Sequence, residues 1–163
     1  MENMIKNTVN KIDATYTNHL CDAEYMQIAI NLAKTNPKEP FAGVLVDNTT
    51  GNILATGINA VHLNPTFHGE MVTINNCANK HPSVNWSSLT LYSTAEPCAM
   101  CQGAVIWTGI SRVVYATSSD YLMQHGWLDI ALPAEELNRR AAFYHGKIIG
   151  GVLAEKANLL FQR

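Results

Sequence analysis

No apolar run in the 163-residue chain approaches the ~20 residues that a helical membrane span requires, and no membrane partner is expected. The first twenty residues, MENMIKNTVNKIDATYTNHL, are polar throughout and lack the apolar region of a secretory signal. Charge is sparse as well. Charged residues make up 15% of the chain, and 11 Lys+Arg against 13 Asp+Glu leave a net charge of -2, so no basic stripe announces nucleic acid. Repeats, low-complexity tracts and long linkers are missing too, which excludes solenoids and multidomain arrays. Against these absences stands an apolar content of 47%, too rich for intrinsic disorder. A domain of about this length buries roughly 68–70% of its unfolded surface and needs no disulfide staples. The expectation is a soluble, cytoplasmic protein with one domain over residues 22–163, preceded by a loosely docked arm at 1–21.

The chain reads as alternating elements. Asp22 is placed to cap a helix running to about residue 36, with Tyr25, Met26, Ile28, Ala29, Leu32 and Ala33 on one side. Pro37 and Pro40 stop it. FAGVLVD (41–47) and ILATGINA (53–60) predict a hairpin turned at Gly51. Met71, Ile74 and Ala78 suggest a helix over 68–79, LTLYST (89–94) a buried strand, and residues 98–108 a second helix. RVVYAT (112–117) predicts a strand, the 131–143 segment a short helix, KIIGGV (147–152) a last strand, and LAEKANLLFQR a closing helix. This order points to an α/β fold, a three-layer αβα sandwich around a mixed sheet.

Two short segments carry chemistry. One is His68-Gly69-Glu70 and the other Pro97 to Cys101, a C-x-x-C formed by Cys98 and Cys101. Taken singly each is weak, since the histidine serves as well for a cap and the cysteine pair for redox chemistry or a half zinc ribbon. Taken together in this order they supply one imidazole, two thiolates and one carboxylate, the signature H-x-E…P-C-x-x-C. Zinc accepts neutral imidazole and thiolate, and a catalytic zinc site keeps three protein ligands and one open position. Cys98 and Cys101 stand at i, i+3 and can face one ion. Both motifs open helices, whose N-termini favour thiolate. Glu70, two residues past His68, looks past the ligand; as a fourth ligand it would instead close the site.

From about Asp22 to Arg163 the chain resembles the cytidine deaminase-like superfamily, in the branch of guanine deaminases, tRNA adenosine deaminases and fungal cytosine deaminase. The matching pieces are PFAGVLVD, TGINAV, HGEMVTI, TAEPCAMCQGAVIWTGISRVVYAT and GGVLAEKANLLF. The resemblance implies a five-stranded sheet with helices on both faces and one zinc ion per chain on His68, Cys98 and Cys101. It implies hydrolytic loss of an exocyclic amine as ammonia, with Glu70 as proton shuttle. It also implies Asn59 as a hydrogen-bond partner of the substrate, and a homodimer in which Ile106, Trp107 and Ile110 could face the second copy; core burial explains these three equally well.

For the substrate, YATSSDYLMQHGW resembles guanine deaminases and related nucleoside deaminases, which carry an acidic residue in this loop. Asp120 is the nearest match and would accept N–H bonds from guanine. Trp127 could stack on a base or sit in the core, and Glu135 and Glu136 read as a solvated helix face. The last eleven residues carry only Lys156 and Arg163, and the adjacent Arg139 and Arg140 make a poor patch, which argues against RNA phosphate. The expected substrate is a purine base or nucleoside, guanine or guanosine first, with tRNA adenosine or cytosine/cytidine as alternatives. A thioredoxin-like oxidoreductase would leave His68 and Glu70 without work, and a zinc-stabilised binding module would not need Glu70.

Overall fold

The computed structural model describes residues 19–163, so all but the last three residues of the expected 1–21 arm lie outside the described residues. Helix α1 (Asp22–Ala33) is followed by β1 (Ala42–Asp47), β2 (Ile53–Ile58) and α2 (Gly69–Lys80). A 3-10 turn (Trp86–Ser88) leads into β3 (Leu89–Ala95), then α3 (Ala99–Thr108), β4 (Arg112–Thr117) and α4 (Ser119–Gln124). Helix α5 (Ala134–Arg140), β5 (Lys147–Ile149) and α6 (Ala154–Asn158) complete the order. The five strands form one mixed sheet in the order β2-β1-β3-β4-β5. Strand β1 pairs antiparallel with β2 and β3, while β4 runs parallel to both β3 and β5.

Both faces of the sheet are covered, so its central strands are apolar nearly throughout. Strand β3 is buried along its whole length. Val44, Val46, Tyr92, Val114 and Ala116 pack under α1 and α6 with Met26, Ile30 and Ala157. Leu45, Ala55, Leu91 and Val113 face the other way, against Ile74 and Cys77 of α2 and Val105 and Ile106 of α3. A third cluster, built from Ala95, Leu122, Trp127 and Phe161, closes one end of the sheet.

Three expectations change. Cys21, not Asp22, holds the cap position of α1, and Glu24 Oε2 accepts the Cys21 N–H at 2.7 Å. Asp22 instead accepts hydrogen bonds from Tyr92 Oη and Arg112 Nη1, both at 2.8 Å, which pins α1 to β3 and β4. The buried face of α2 is Gly69, Glu70, Thr73, Ile74 and Cys77, so of Met71, Ile74 and Ala78 only Ile74 is buried, with Met71 half-buried and Ala78 exposed. Ile106 and Ile110 are core residues, 6% and 0% exposed, so of the three suggested dimer residues only Trp107 is on the surface, its ring tilted against that of Phe143.

The rotation of α2 has a steric cause. Gly43 and Gly57 are paired across β1 and β2, and α2 lies directly on them. A Cβ on Gly57 would come within 2.4 Å of the Thr73 nitrogen and 2.8 Å of the Gly69 carbonyl oxygen, and one on Gly43 within 2.5 Å of Thr73 Oγ1. Gly69 itself has room for no side chain, since its Cβ would meet the Phe41 carbonyl oxygen at 2.7 Å. Three glycines therefore let the first turn of α2 touch the strand backbones. Gly57→Ala should destabilise the fold by about 1–3 kcal/mol, the usual cost of overpacking, and reduce activity by lifting that turn. Thermal denaturation measures it; an unchanged melting temperature would contradict the packing described here.

Candidate active site and metal centre

Two helix starts converge on one point. His68 is the cap residue of α2 and Cys98 the cap residue of α3, both with extended backbone, while Cys101 lies in the first turn of α3. His68 Nδ1 and Cys98 Sγ are 3.6 Å apart, and the donor atoms of His68, Cys98 and Cys101 all lie within 4.8 Å of one another. A tetrahedral zinc with bonds of about 2.3 Å to sulfur and 2.0–2.1 Å to nitrogen spaces its donors roughly 3.5–3.8 Å apart. The three residues fit such an ion, and the donor set is the one zinc prefers.

Local electrostatics favour thiolate at the mouth of the triad. The thiol of Cys98 is held well below its ordinary range by a hydrogen bond from the Cys101 thiol, and by its contacts with His68 and the Cys101 backbone. Cys101 is driven up by keeping that shared proton, and then by burial. His68 is raised by its contact with Cys98.

Glu70 is 4% exposed on the inner face of α2. Its Oε1 accepts from Ser93 Oγ at 3.1 Å, and its Oε2 lies 3.6 Å from the Cys101 sulfur. Burial first, and then the charge on Cys98, push its carboxyl up to about 7. The carboxyl thus sits beside the metal donors without being drawn into the triad.

A cavity of about 210 Å³ opens in front of these groups and is lined among others by Phe41, Asn59, His68, Glu70, Glu96 and Cys98. Asn59 is buried, and its Oδ1 accepts the Val61 N–H at 3.0 Å. Its side-chain NH₂ is left to donate into the cavity. Trp127 takes the core position of its two expected roles, 8% exposed within the third core cluster, and it also lines the cavity.

Asp120 is a correction. Residues 119–124, expected as loop, form α4, and Asp120 is exposed on its first turn. It lines a neighbouring depression with Tyr115, Ser118 and Glu135, not the cavity of the triad. The carboxylate that reaches this cavity from the same stretch is Asp129, which accepts hydrogen bonds from Ser119 Oγ and, at 2.7 Å, from the Ile130 N–H. Nothing in the sequence distinguished the two, because the six-residue helix that carries Asp120 shows too little periodicity to be seen. Glu96 was also missed. Its carboxylate accepts the Ser119 and Ala134 N–H groups, each at 3.0 Å, and so ties the starts of α4 and α5 to the end of β3. Ser93 did have a signal, as a polar residue in register with Leu89 and Leu91 on the buried face of β3. Arg139 and Arg140 both turn to Glu136 at 2.7 Å, and no helix among the described residues is long and apolar enough to cross a membrane.

The comparisons with known proteins agree with this geometry. The model of the cytidine and deoxycytidylate deaminase zinc-binding region matches residues 20–117, which include His68, Glu70, Cys98 and Cys101. A tRNA-specific adenosine deaminase of Rickettsia felis is 31% identical over 125 residues, 76% of this chain and 83% of that one. A probable cytosine deaminase of Schizosaccharomyces pombe is 27% identical over 143 residues, 83% of this chain and 87% of that one. The solved guanine deaminase from Nitrosomonas europaea superposes with a TM-score of 0.77 at 25% identity, covering 88% of this chain and 84% of its own. With its five-stranded sheet, its zinc-binding region and the motifs above, the chain belongs to the cytidine and deoxycytidylate deaminase family, as a hydrolytic deaminase of a nucleobase or nucleoside.

Proposed function

We propose that the protein deaminates a purine base or nucleoside, with guanine or guanosine preferred, and that His68, Cys98 and Cys101 hold the zinc while Glu70 moves the protons. Zinc in that position supplies a Lewis acid that makes water nucleophilic near neutral pH. The single observation that carries the substrate reading is the lining of the cavity: Glu39, Glu70, Glu96 and Asp129 are carboxylates, and Arg163 is its one Lys or Arg side chain. Such a lining repels phosphate and welcomes a neutral ring with N–H donors. Among the described residues, Arg139 and Arg140 pair with Glu136 and Arg112 with Asp22, so none of these three arginines is free for an RNA phosphate. The solved guanine deaminase of similar fold supports the reading, although the tRNA-specific relative keeps tRNA as the alternative.

Each chain residue has a physical task. Glu70, buried beside the metal donors with its carboxyl raised by that burial, is placed both to take and to return a proton. Ser93 holds one of its oxygens and leaves the other beside Cys101. Asn59 donates its NH₂ to an acceptor on the ring. Asp129 accepts ring N–H groups, a task that Asp120 is turned away from. The expected homodimer is proposed on the same footing, with Trp107 and Phe143 as exposed apolar side chains available to it.

Ammonia release from guanine, guanosine, adenosine, cytosine, cytidine and a tRNA anticodon stem-loop tests the substrate. Release from guanine or guanosine is expected, and efficient turnover of the stem-loop alone would overturn it. Glu70→Gln should keep its zinc and its fold while losing at least 10²–10⁴-fold in turnover, about the contribution of a general acid–base group; a tenth of wild-type activity would remove Glu70 from the role. Asp129→Asn should lower kcat/KM for guanine roughly tenfold, in line with about 1–3 kcal/mol for an unpaired buried polar group. Asp120→Asn should stay within about twofold on the same reasoning, and the reverse ranking would return the reading residue to Asp120.

A further inference from the structure

The outer end of the cavity is built from parts of the chain that share no motif. Its lining includes the buried or half-buried His68, Glu70 and Cys98, while Leu128 and Arg163 are exposed and Glu39 is half-buried, which makes these three its solvent-facing rim. Arg163 is fastened there on two sides. Its guanidinium carbon sits 3.3 Å from the centre of the Trp127 ring, well inside the range of a cation–π contact. Its Nη2 is 3.9 Å from Glu39 Oε1, which joins the segment after α6 to the loop before β1. The anchor lies two residues earlier. Phe161 is fully buried against Phe41 and Trp127, and its carbonyl accepts the Trp127 indole N–H at 2.8 Å.

A ring that presents its amine-bearing carbon to His68, Cys98 and Glu70 turns its opposite side toward this outer end. In a purine that side carries the ring nitrogen to which a ribose would be attached. The cavity of about 210 Å³ is below the ~300–1,000 Å³ typical of drug-sized ligand sites, and suits a single ring system. A sugar on that nitrogen would extend to the rim where Arg163 lies, against its stack on Trp127 and its pair with Glu39. A free base need break neither.

We propose that Arg163, held between the Trp127 face and the Glu39 carboxylate, is a specificity-determining residue that selects the free base over its nucleoside. The proposal rests on the purine reading above. Removing the guanidinium opens the outer end and frees Glu39 to accept hydrogen bonds from ribose hydroxyls. Lysine keeps the charge but not the flat stack, so it restores the selection only in part.

The test compares wild type, Arg163→Ala, Arg163→Lys and Glu39→Gln as full-length zinc-loaded protein, with kcat/KM measured for guanine and guanosine. The same pair is then titrated calorimetrically in a Glu70→Gln background, where binding is read without turnover. Wild type should favour guanine, and Arg163→Ala should raise the guanosine-to-guanine ratio tenfold or more, chiefly through KM and Kd. Arg163→Lys and Glu39→Gln should fall between. A ratio within twofold of wild type in Arg163→Ala, with zinc content and circular dichroism unchanged, would overturn the role, as would a wild type that prefers guanosine. If neither purine releases ammonia, the calorimetric ratio still decides: a shift in Arg163→Ala keeps this selection while the purine reaction fails, and no shift overturns both.

Discussion

The backbone-to-backbone contact of α2 with β1 and β2 is the constraint from which the site follows. Side chains ordinarily stand between a helix and the sheet it covers; here Gly43, Gly57 and Gly69 remove them at the start of α2. The helix start sinks toward the sheet, and His68 and Glu70 arrive at the level of Ser93 on β3. Strand β3 then delivers Cys98 and Cys101 to the same level, because it lies beside β1 in the sheet and ends at Ala95. The metal donors are thus placed by the sheet order and by three missing side chains.

Electrostatics then divide the cavity. At its inner end two helix N-termini meet, which favours negative charge on Cys98 and on its neighbours. Glu70 pays for this with a raised carboxyl, buried as it is beside a thiolate. Further out, Glu96 is satisfied by two backbone N–H groups and serves as a brace between β3, α4 and α5. Asp129 keeps acceptor capacity beyond its contacts with Ser119 and Ile130, which suits it to meet a ligand. The same sign of charge that activates the inner end thereby also disfavours phosphorylated ligands.

Much of this was legible in the residues. The strands at 42–47, 53–58, 89–95 and 112–117 carry dense apolar runs, and the HGE and PCAMC motifs name the metal donors through the chemistry of their side chains. What stayed hidden depends on tertiary contact. The buried face of α2 was misjudged because Gly69 and Thr73 are not apolar, yet shape rather than hydrophobicity decides what lies inward there. Asp129 and Asp120 are equally acidic, and only the turn of α4 separates them. Glu39 and Arg163 come from opposite ends of the described chain, where no local pattern links them.

The central claim is that this packing builds an open three-donor zinc site. X-ray absorption at the zinc edge of the purified protein measures it most directly. Two sulfur donors at about 2.3 Å and two nitrogen or oxygen donors at about 2.0–2.1 Å are predicted, for Cys98, Cys101, His68 and one exchangeable water. A shell of four sulfurs, a shell without sulfur, or purified protein free of zinc with Cys98 and Cys101 joined in a disulfide would contradict the account.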